Sequence, residues 1–193
     1  MIKLARPVKC PICSQYGLRE DMILEHKRYY HKEYCYERFK KEQEATRIEN
    51  EQWDELYQYI IKFHDLVTLS IANITRLKHL RAGFEYKKGK KIPKWRTGPD
   101  YALMLEAYRL SEKNNLYAMS TKIGDWNDVN QVNYTISTMM SHLNDAWRIR
   151  QNKKKQLEAV KRVEKQESKR DQSLTTKNIY INKRDDLDIS DFV

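Results

Sequence analysis

The sequence contains few of the residues that form tight turns. Its 193 residues include only five glycines and four prolines, fewer than a sheet protein of this length would need. It also lacks a run of about 18 apolar residues, the length of a membrane span. The first ten residues, MIKLARPVKC, are too short and too charged for a signal peptide. We therefore expect a mainly α-helical protein in the cytoplasm, with no membrane partner.

Cysteine is scarce as well, and all three cysteines lie between positions 10 and 35. An odd, clustered set does not form the disulfide framework of a secreted protein. The stretch KCPICSQYGLREDMILEHKRYYHKEYC, residues 9–35, also contains His26 and His31. A lone Cys-x-x-Cys can be a redox pair, but the helical sequence after it lacks the βαβ context of such pairs. The pattern predicts one structural Zn²⁺ ion.

Two ligand sets fit this stretch. Cys10 and Cys13 have the two-residue spacing that lets both thiolates reach one tetrahedral ion. A C2H2 finger would add His26 and His31, but Gly17 then stands where that family has an aromatic core residue. The alternative that we favour uses every cysteine and leaves His26 on the surface. Its ligands are Cys10, Cys13, His31 and Cys35.

Four protein ligands close the coordination sphere of zinc and leave no position for a catalytic water. The sequence also has no P-loop, Rossmann glycine pattern or nucleophile elbow. We therefore expect that the protein is not an enzyme. A nuclease would instead need a catalytic histidine, for which His26 is the candidate.

Apolar residues recur at helical spacing from Glu37 onwards. Gly83 is the expected C-terminal cap of one helix, and Asp128 the expected N-terminal cap of another. The apolar stripe thins after Arg148, and the last twenty or so residues are polar, so we expect a disordered tail there. The predicted segments are a zinc knuckle (1–36), a linker helix and helical hairpin (37–82), a basic loop (83–100), a helical domain (101–150) and a basic helix with an acidic-tipped tail (151–193).

The formal net charge of +10 favours an anionic partner, most commonly nucleic acid. Basic and aromatic residues alternate in FEYKKGKKIPKWRT, residues 84–97, a pattern that can pair with phosphates and stack on bases. A solvated hairpin whose aromatic residues pack on the helices would look the same. The candidate nucleic-acid contacts are Lys87, Lys88, Lys90, Lys91, Lys94, Trp95 and Arg96. Residues 148–170, with ten Lys or Arg and three Glu, form a second basic region.

Three parts of the chain resemble known families. RYYHKEYCYERF is similar to the second half of LIM-like or treble-clef zinc knuckles. YALMLEAYRLSEKNNLYAMSTKI followed by VNYTISTMMSHLNDAW resembles the DnaD-type replication-initiation helical domain. Tyr134 and Ile136 would match a motif of that domain that contributes to contact with DNA or with a helicase loader. The end DDLDISDFV resembles the acidic tips of bacterial single-stranded-DNA-binding proteins, which dock on replication partners. The whole arrangement resembles small accessory proteins of phages and prophages of Gram-positive bacteria.

Taken with the closed zinc site and the basic segments, these resemblances imply a non-enzymatic, zinc-binding protein of a phage or prophage, in the host cytoplasm. It would bind nucleic acid, DNA more than RNA, in replication or transcription. The alternative is an adapter that binds a host replication or transcription protein. The sequence predicts no oligomeric state.

Overall fold

The computed structural model describes the backbone of residues 7–87 and 90–182 and the side chains of residues 7–85 and 90–170. Within these ranges the chain forms six α-helices and three antiparallel strand pairs, which confirms a mainly α-helical protein. Lys88 and the acidic end 183–193 lie outside the described residues, as does the side chain of Lys87. The expectations for them stay predictions. The contacts divide the chain into two units, 1–143 and 144–193, and each is described by itself.

Two short strand pairs begin the first unit. β1 (Val8–Lys9) pairs with β2 (Tyr16–Gly17). After a short 3-10 turn, β3 (Met22–Glu25) pairs with β4 (Arg28–His31). Both residues that link β3 to β4 have a positive φ, as the tightest hairpin turns require: they are His26 at 46° and Lys27 at 65°.

The long helix α1 (Tyr34–His64) follows directly and is roughly 45 Å long. Its first half is exposed and carries ion pairs one turn apart, such as those of Arg47 with Glu44 and Glu51 at 2.6 Å. Apolar residues concentrate in its second half, and this half packs into the core. The buried residues of α1 are Cys35, Leu56, Ile60 and His64.

Four further helical segments build the body of the first unit around the end of α1. They are α2 (Ile71–Arg81), α3 (Tyr101–Leu110), α4 (Glu112–Ala118) and α5 (Asp128–Ser141), with a π-helical turn at Met119–Ile123 between the last two. α1 packs on α3, and α3 packs on α5. The side chains at the centre of this packing are fully buried: Leu56, Ile60, Leu77, Met104, Tyr108, Ile136 and Met139.

Side-chain caps fix where three of these helices begin. The caps Ser70, Asp100 and Asn127 accept hydrogen bonds from the amides of Asn73, Leu103 and Asn130 at 3.2, 2.6 and 2.9 Å. Asn127 is therefore the cap of α5, and the predicted cap, Asp128, is its first helical residue. Both residue types cap helices well, so the sequence left the choice between neighbours open.

Gly83 ends α2 and holds the next hairpin in place. Its φ of 89° and the hydrogen bond from its amide to the carbonyl of Leu80 (2.9 Å) confirm the predicted cap. Its carbonyl accepts the amides of Lys94 (2.9 Å) and Trp95 (3.1 Å). A Cβ atom at this position would lie 2.5 Å from the carbonyl oxygen of Trp95, so glycine is required here.

The hairpin itself consists of β5 (Phe84–Lys87) and β6 (Lys90–Pro93). The last helix, α6 (Leu143–Asn182), begins at the final residue of the first unit, and the rest of it lies in the second unit. Its apolar residues Leu157, Val160 and Val163 are about half exposed, as the thinning apolar stripe predicts. None of the described helices has the length and apolar character that crossing a bilayer requires.

Candidate metal centre

Three separate elements bring four metal-binding side chains together. Cys10 directly follows β1, Cys13 lies in the turn after it, His31 ends β4, and Cys35 lies in the first turn of α1. Their donor atoms all lie within 4.8 Å of one another. His31 turns its Nδ1 towards the group, 3.4 Å from the Sγ of Cys13. This group could hold a metal ion, since donors at a tetrahedral centre are separated by similar distances.

A tight turn presents the first two cysteines. The amide of Cys10 donates to the carbonyl of Gln15 (2.8 Å), and the amide of Ser14 donates to the carbonyl of Cys10 (2.9 Å). Burial acts to raise the pKa of the Cys10 thiol, but backbone hydrogen bonds from Cys13, His31 and Ile12 outweigh it and lower the pKa to about 6. The fold therefore favours the thiolate form, which is the form that binds metals.

Cys35 has the opposite tendency. Burial raises the pKa of its thiol to about 11, and the neighbouring Cys13 and Cys10 add to the rise. Three sulfur atoms so close together cannot all be negatively charged unless a cation lies among them. A divalent metal ion would supply that charge and deprotonate the thiols that bind it.

His26 lies outside this group. It occupies the turn between β3 and β4, and its side chain is 70% exposed, with Nε2 3.9 Å from a carboxylate oxygen of Glu25. The donors that the structure brings together are therefore those of the ligand set that uses every cysteine.

Gly17 belongs to the site, although the sequence does not mark it as such. A Cβ atom at Gly17 would lie 2.8 Å from Nε2 of His31 and 3.1 Å from the sulfur of Met22. The missing side chain lets the imidazole pack directly against β2. The only sequence signal is a glycine where a C2H2 finger would have an aromatic residue.

The predicted basic contacts are placed unequally around the β5–β6 hairpin. Lys90, Lys91 and Arg96 are exposed, and Trp95 is half-buried. The ammonium group of Lys94 is 2.9 Å from a carboxylate oxygen of Glu85, so its charge is partly neutralised. The side chains of Lys87 and Lys88 lie outside the described residues.

A buried polar group also occupies the helical core, and sequence analysis did not find it. Nε2 of His64 lies 3.0 Å from the hydroxyl of Tyr108 and 2.9 Å from that of Thr135. Because 44 and 71 positions separate these partners from His64, no local pattern reveals the group. All three residues are buried, which points to a structural role.

One protein-family model, described as "SPbeta prophage protein YorH", matches residues 10–191. The match contains all four donors of the candidate metal centre and the whole helical body. No curated protein and no solved structure matches the chain significantly. The resemblance to the DnaD-type domain stays a prediction. Of its two motif residues, Ile136 is fully buried and Tyr134 packs edge-on against Trp126, with ring centroids 6.0 Å apart.

Proposed function

Because this chain belongs to the family of the SPbeta prophage protein YorH, we propose that it is a zinc-binding prophage protein that associates with nucleic acid, DNA in preference to RNA, and is not an enzyme. Its zinc ion is structural. Its basic surfaces hold the phosphate backbone.

The donor set supports zinc as the metal. Three thiolates and one imidazole are ligands of structural zinc sites. The apolar cluster around the site is small: it contains Cys10, Met22 and Cys35, with Val8, Ile12 and Tyr29 packed against it. So small a core contributes little stability, and we expect metal binding to supply much of the folding free energy of this segment.

The same donor set favours a structural ion over a catalytic one. With Cys10, Cys13, His31 and Cys35 bound, a tetrahedral zinc ion has no open position for water or substrate. His26, the candidate residue for a nuclease, lies beside Glu25 and the Phe39 ring and stands apart from the metal-binding group.

The observation that carries the nucleic-acid proposal is the pair of exposed lysines on β6. Lys90 and Lys91 are exposed, and no carboxylate of the described side chains lies within 4.0 Å of either ammonium group. Lys91 also lies over the ring of Phe84, with its Nζ 4.1 Å from the centroid. Gly83 fixes the base of the hairpin, so the two charges are presented on a defined element. The net charge of +10 adds a general attraction for polyanions.

A salt titration of binding tests this proposal. We would measure the fluorescence anisotropy of labelled single-stranded DNA, duplex DNA and RNA with the zinc-loaded protein between about 50 and 200 mM salt. The variant Lys90→Gln/Lys91→Gln should bind about tenfold more weakly at 0.1 M salt. The negative slope of log K against log salt should become shallower by about 1.5, since each lost phosphate contact removes about 0.7–0.9 from its magnitude.

The matched control is Lys62→Gln/Lys113→Gln, which removes the same charge from exposed positions on α1 and α4. It should bind almost as well as the parent protein. If the parent protein binds no nucleic acid, or binds it without salt dependence, the proposal is wrong. The adapter alternative would be supported if a parent protein without nucleic-acid binding captured a host replication or transcription protein, and if deletion of residues 185–193 abolished the capture.

A further inference from the structure

A second cationic surface lies beside the metal centre, on the face between two turns. The turn that contains Cys10 and Cys13 and the turn between β3 and β4 enclose an open groove of about 460 Å³. Lys9, Lys27 and Arg28 line it, together with Tyr29 and Ser14. We call it the knuckle groove.

The cations of the knuckle groove have no carboxylate partner in the described part of the chain. Among the described side chains, no carboxylate lies within 4.0 Å of Lys9, Lys27 or Arg28. Other lysines near the knuckle have partners: Lys40 lies 2.6 Å from a carboxylate oxygen of Glu25, and Lys32 donates to the carbonyl of Glu20 at 2.6 Å. Three like charges around one cavity repel each other and attract an anion that enters it.

An exposed aromatic residue stands next to this charge. In the β1–β2 pair, Tyr16 is the direct partner of Lys9, so the two side chains share one face. Tyr16 is 69% exposed, although burying the large apolar ring of a tyrosine would stabilise so small a domain. A cation beside an open aromatic ring is the arrangement that holds a phosphate and stacks on the neighbouring base.

We propose that the knuckle groove is a second nucleic-acid contact: Lys9, Lys27 and Arg28 hold a backbone phosphate, and Tyr16 stacks on an unpaired base. This inference rests on the proposed function and adds a single-strand preference to it. Stacking needs a base that is not already covered on both faces in a duplex, so the groove favours single-stranded nucleic acid over duplex.

The charge of the metal centre offers a second explanation for the cations of the knuckle groove. A zinc ion bound by three thiolates carries a net negative charge, and nearby cations could serve only to offset it. Cys10 lines the same groove, so the cations are close enough for that role. The two explanations differ in which affinity the cations support, that for nucleic acid or that for zinc.

The test compares Lys27→Gln/Arg28→Gln with the control Lys62→Gln/Lys113→Gln in the full-length, zinc-loaded protein. Lys62 is near the far end of α1, roughly 40 Å along the helix from Cys35. The knuckle variant should bind single-stranded DNA about tenfold more weakly at 0.1 M salt, and its negative slope of log K against log salt should be shallower by about 1.5. Its zinc affinity, measured by competition with a chromophoric chelator, should stay within about twofold of the parent value.

Tyr16 is tested by two substitutions. Tyr16→Ala should weaken binding of single-stranded DNA at least fivefold, because stacking contributes about 1–3 kcal/mol per base, and should leave duplex binding almost unchanged. Tyr16→Phe keeps the ring and should bind like the parent protein.

Three outcomes would overturn the inference. Unchanged nucleic-acid binding in the Lys27→Gln/Arg28→Gln and Tyr16→Ala variants, with loss in Lys90→Gln/Lys91→Gln, would exclude the knuckle groove and leave the proposed function standing. Weaker zinc binding with unchanged nucleic-acid binding in Lys27→Gln/Arg28→Gln would assign the cations to the metal centre. A parent protein that binds no nucleic acid would refute both the inference and the proposed function.

Discussion

The buried His64 predicts that the helical body loses stability in mild acid. Tyr108 donates its hydroxyl hydrogen to Thr135, and Thr135 donates to the carbonyl of Val132 at 3.0 Å. The hydrogen on Nε2 of His64 then donates to the two hydroxyl oxygens. The other ring nitrogen, Nδ1, is buried and has no partner among the described residues. Protonation would place a charge and an unpaired donor at that nitrogen, which is unfavourable in an apolar core.

The size of the effect follows from the pKa of this imidazole. Burial lowers the pKa of His64 to about 4, and the attraction of Asp128 opposes the shift only weakly. In the unfolded chain a histidine titrates near 6.5, so the unfolded state binds more protons as the pH falls from about 6.5 to about 4. The contribution of His64 to folding is therefore present above pH 6.5 and is lost as the pH falls. Between pH 7.5 and pH 5.0 the loss is about 2 kcal/mol.

Urea unfolding at these two pH values measures the loss. The free energy of unfolding, followed by circular dichroism, should fall by about 2 kcal/mol more in the parent protein than in His64→Gln, whose side chain does not titrate. Release in acid of the zinc that we propose would affect both proteins alike, because His64 is not part of the metal-binding group. Equal pH dependence in the two proteins would refute the reasoning. If the variant does not fold, an NMR titration of the His64 ring in the parent protein replaces it, and a pKa near 6.5 would be the refuting result.

Two further predictions concern the metal centre, and both are checked by chelator competition. Cys35→Ser should lower zinc affinity by more than about 100-fold, because loss of a direct ligand costs more than loss of an outer-shell partner. His26→Ala should leave zinc affinity unchanged. If His26→Ala lowers the affinity and Cys35→Ser does not, the C2H2 ligand set is correct. Gly17→Ala should lower zinc affinity about tenfold, because its methyl group would lie 2.8 Å from Nε2 of His31 and displace the ring. Equal affinity in Gly17→Ala would show that the ring has room to move.

Local signals in the sequence were enough to predict the helices and the group of four residues that the structure brings together as a candidate metal centre. Leu77 and Leu80, one turn apart, mark the buried face of α2, and Gly83 marks its end. The chain has three cysteines, all near two histidines, so few combinations of metal ligands had to be weighed. The residues that mark a helix are close together in the chain, and the metal-binding residues are rare in it, so both could be identified from the sequence.

Features that depend on contacts between distant segments could not be predicted in this way. The hydrogen bonds of His64 join three helices, and the close approach of Gly17 to His31 depends on how two strand pairs meet. The knuckle groove has the same origin. Lys9 and Lys27 are 18 positions apart and line one cavity only because two turns lie side by side.

Cys35 links the candidate metal centre to the first turn of α1. The exposed first half of this helix carries surface ion pairs, which contribute only about 0–1 kcal/mol each. Most of the stability of a helix in a protein comes instead from tertiary packing. Packing therefore has to fix it at both ends. At one end Leu56 and Ile60 enter the core. At the other end Cys35 joins the metal-binding group, and Phe39 stacks on Tyr30 with ring centroids 4.2 Å apart. If this group holds zinc, as we propose, removal of the ion should loosen α1 from its N-terminal end while its second half stays packed in the body.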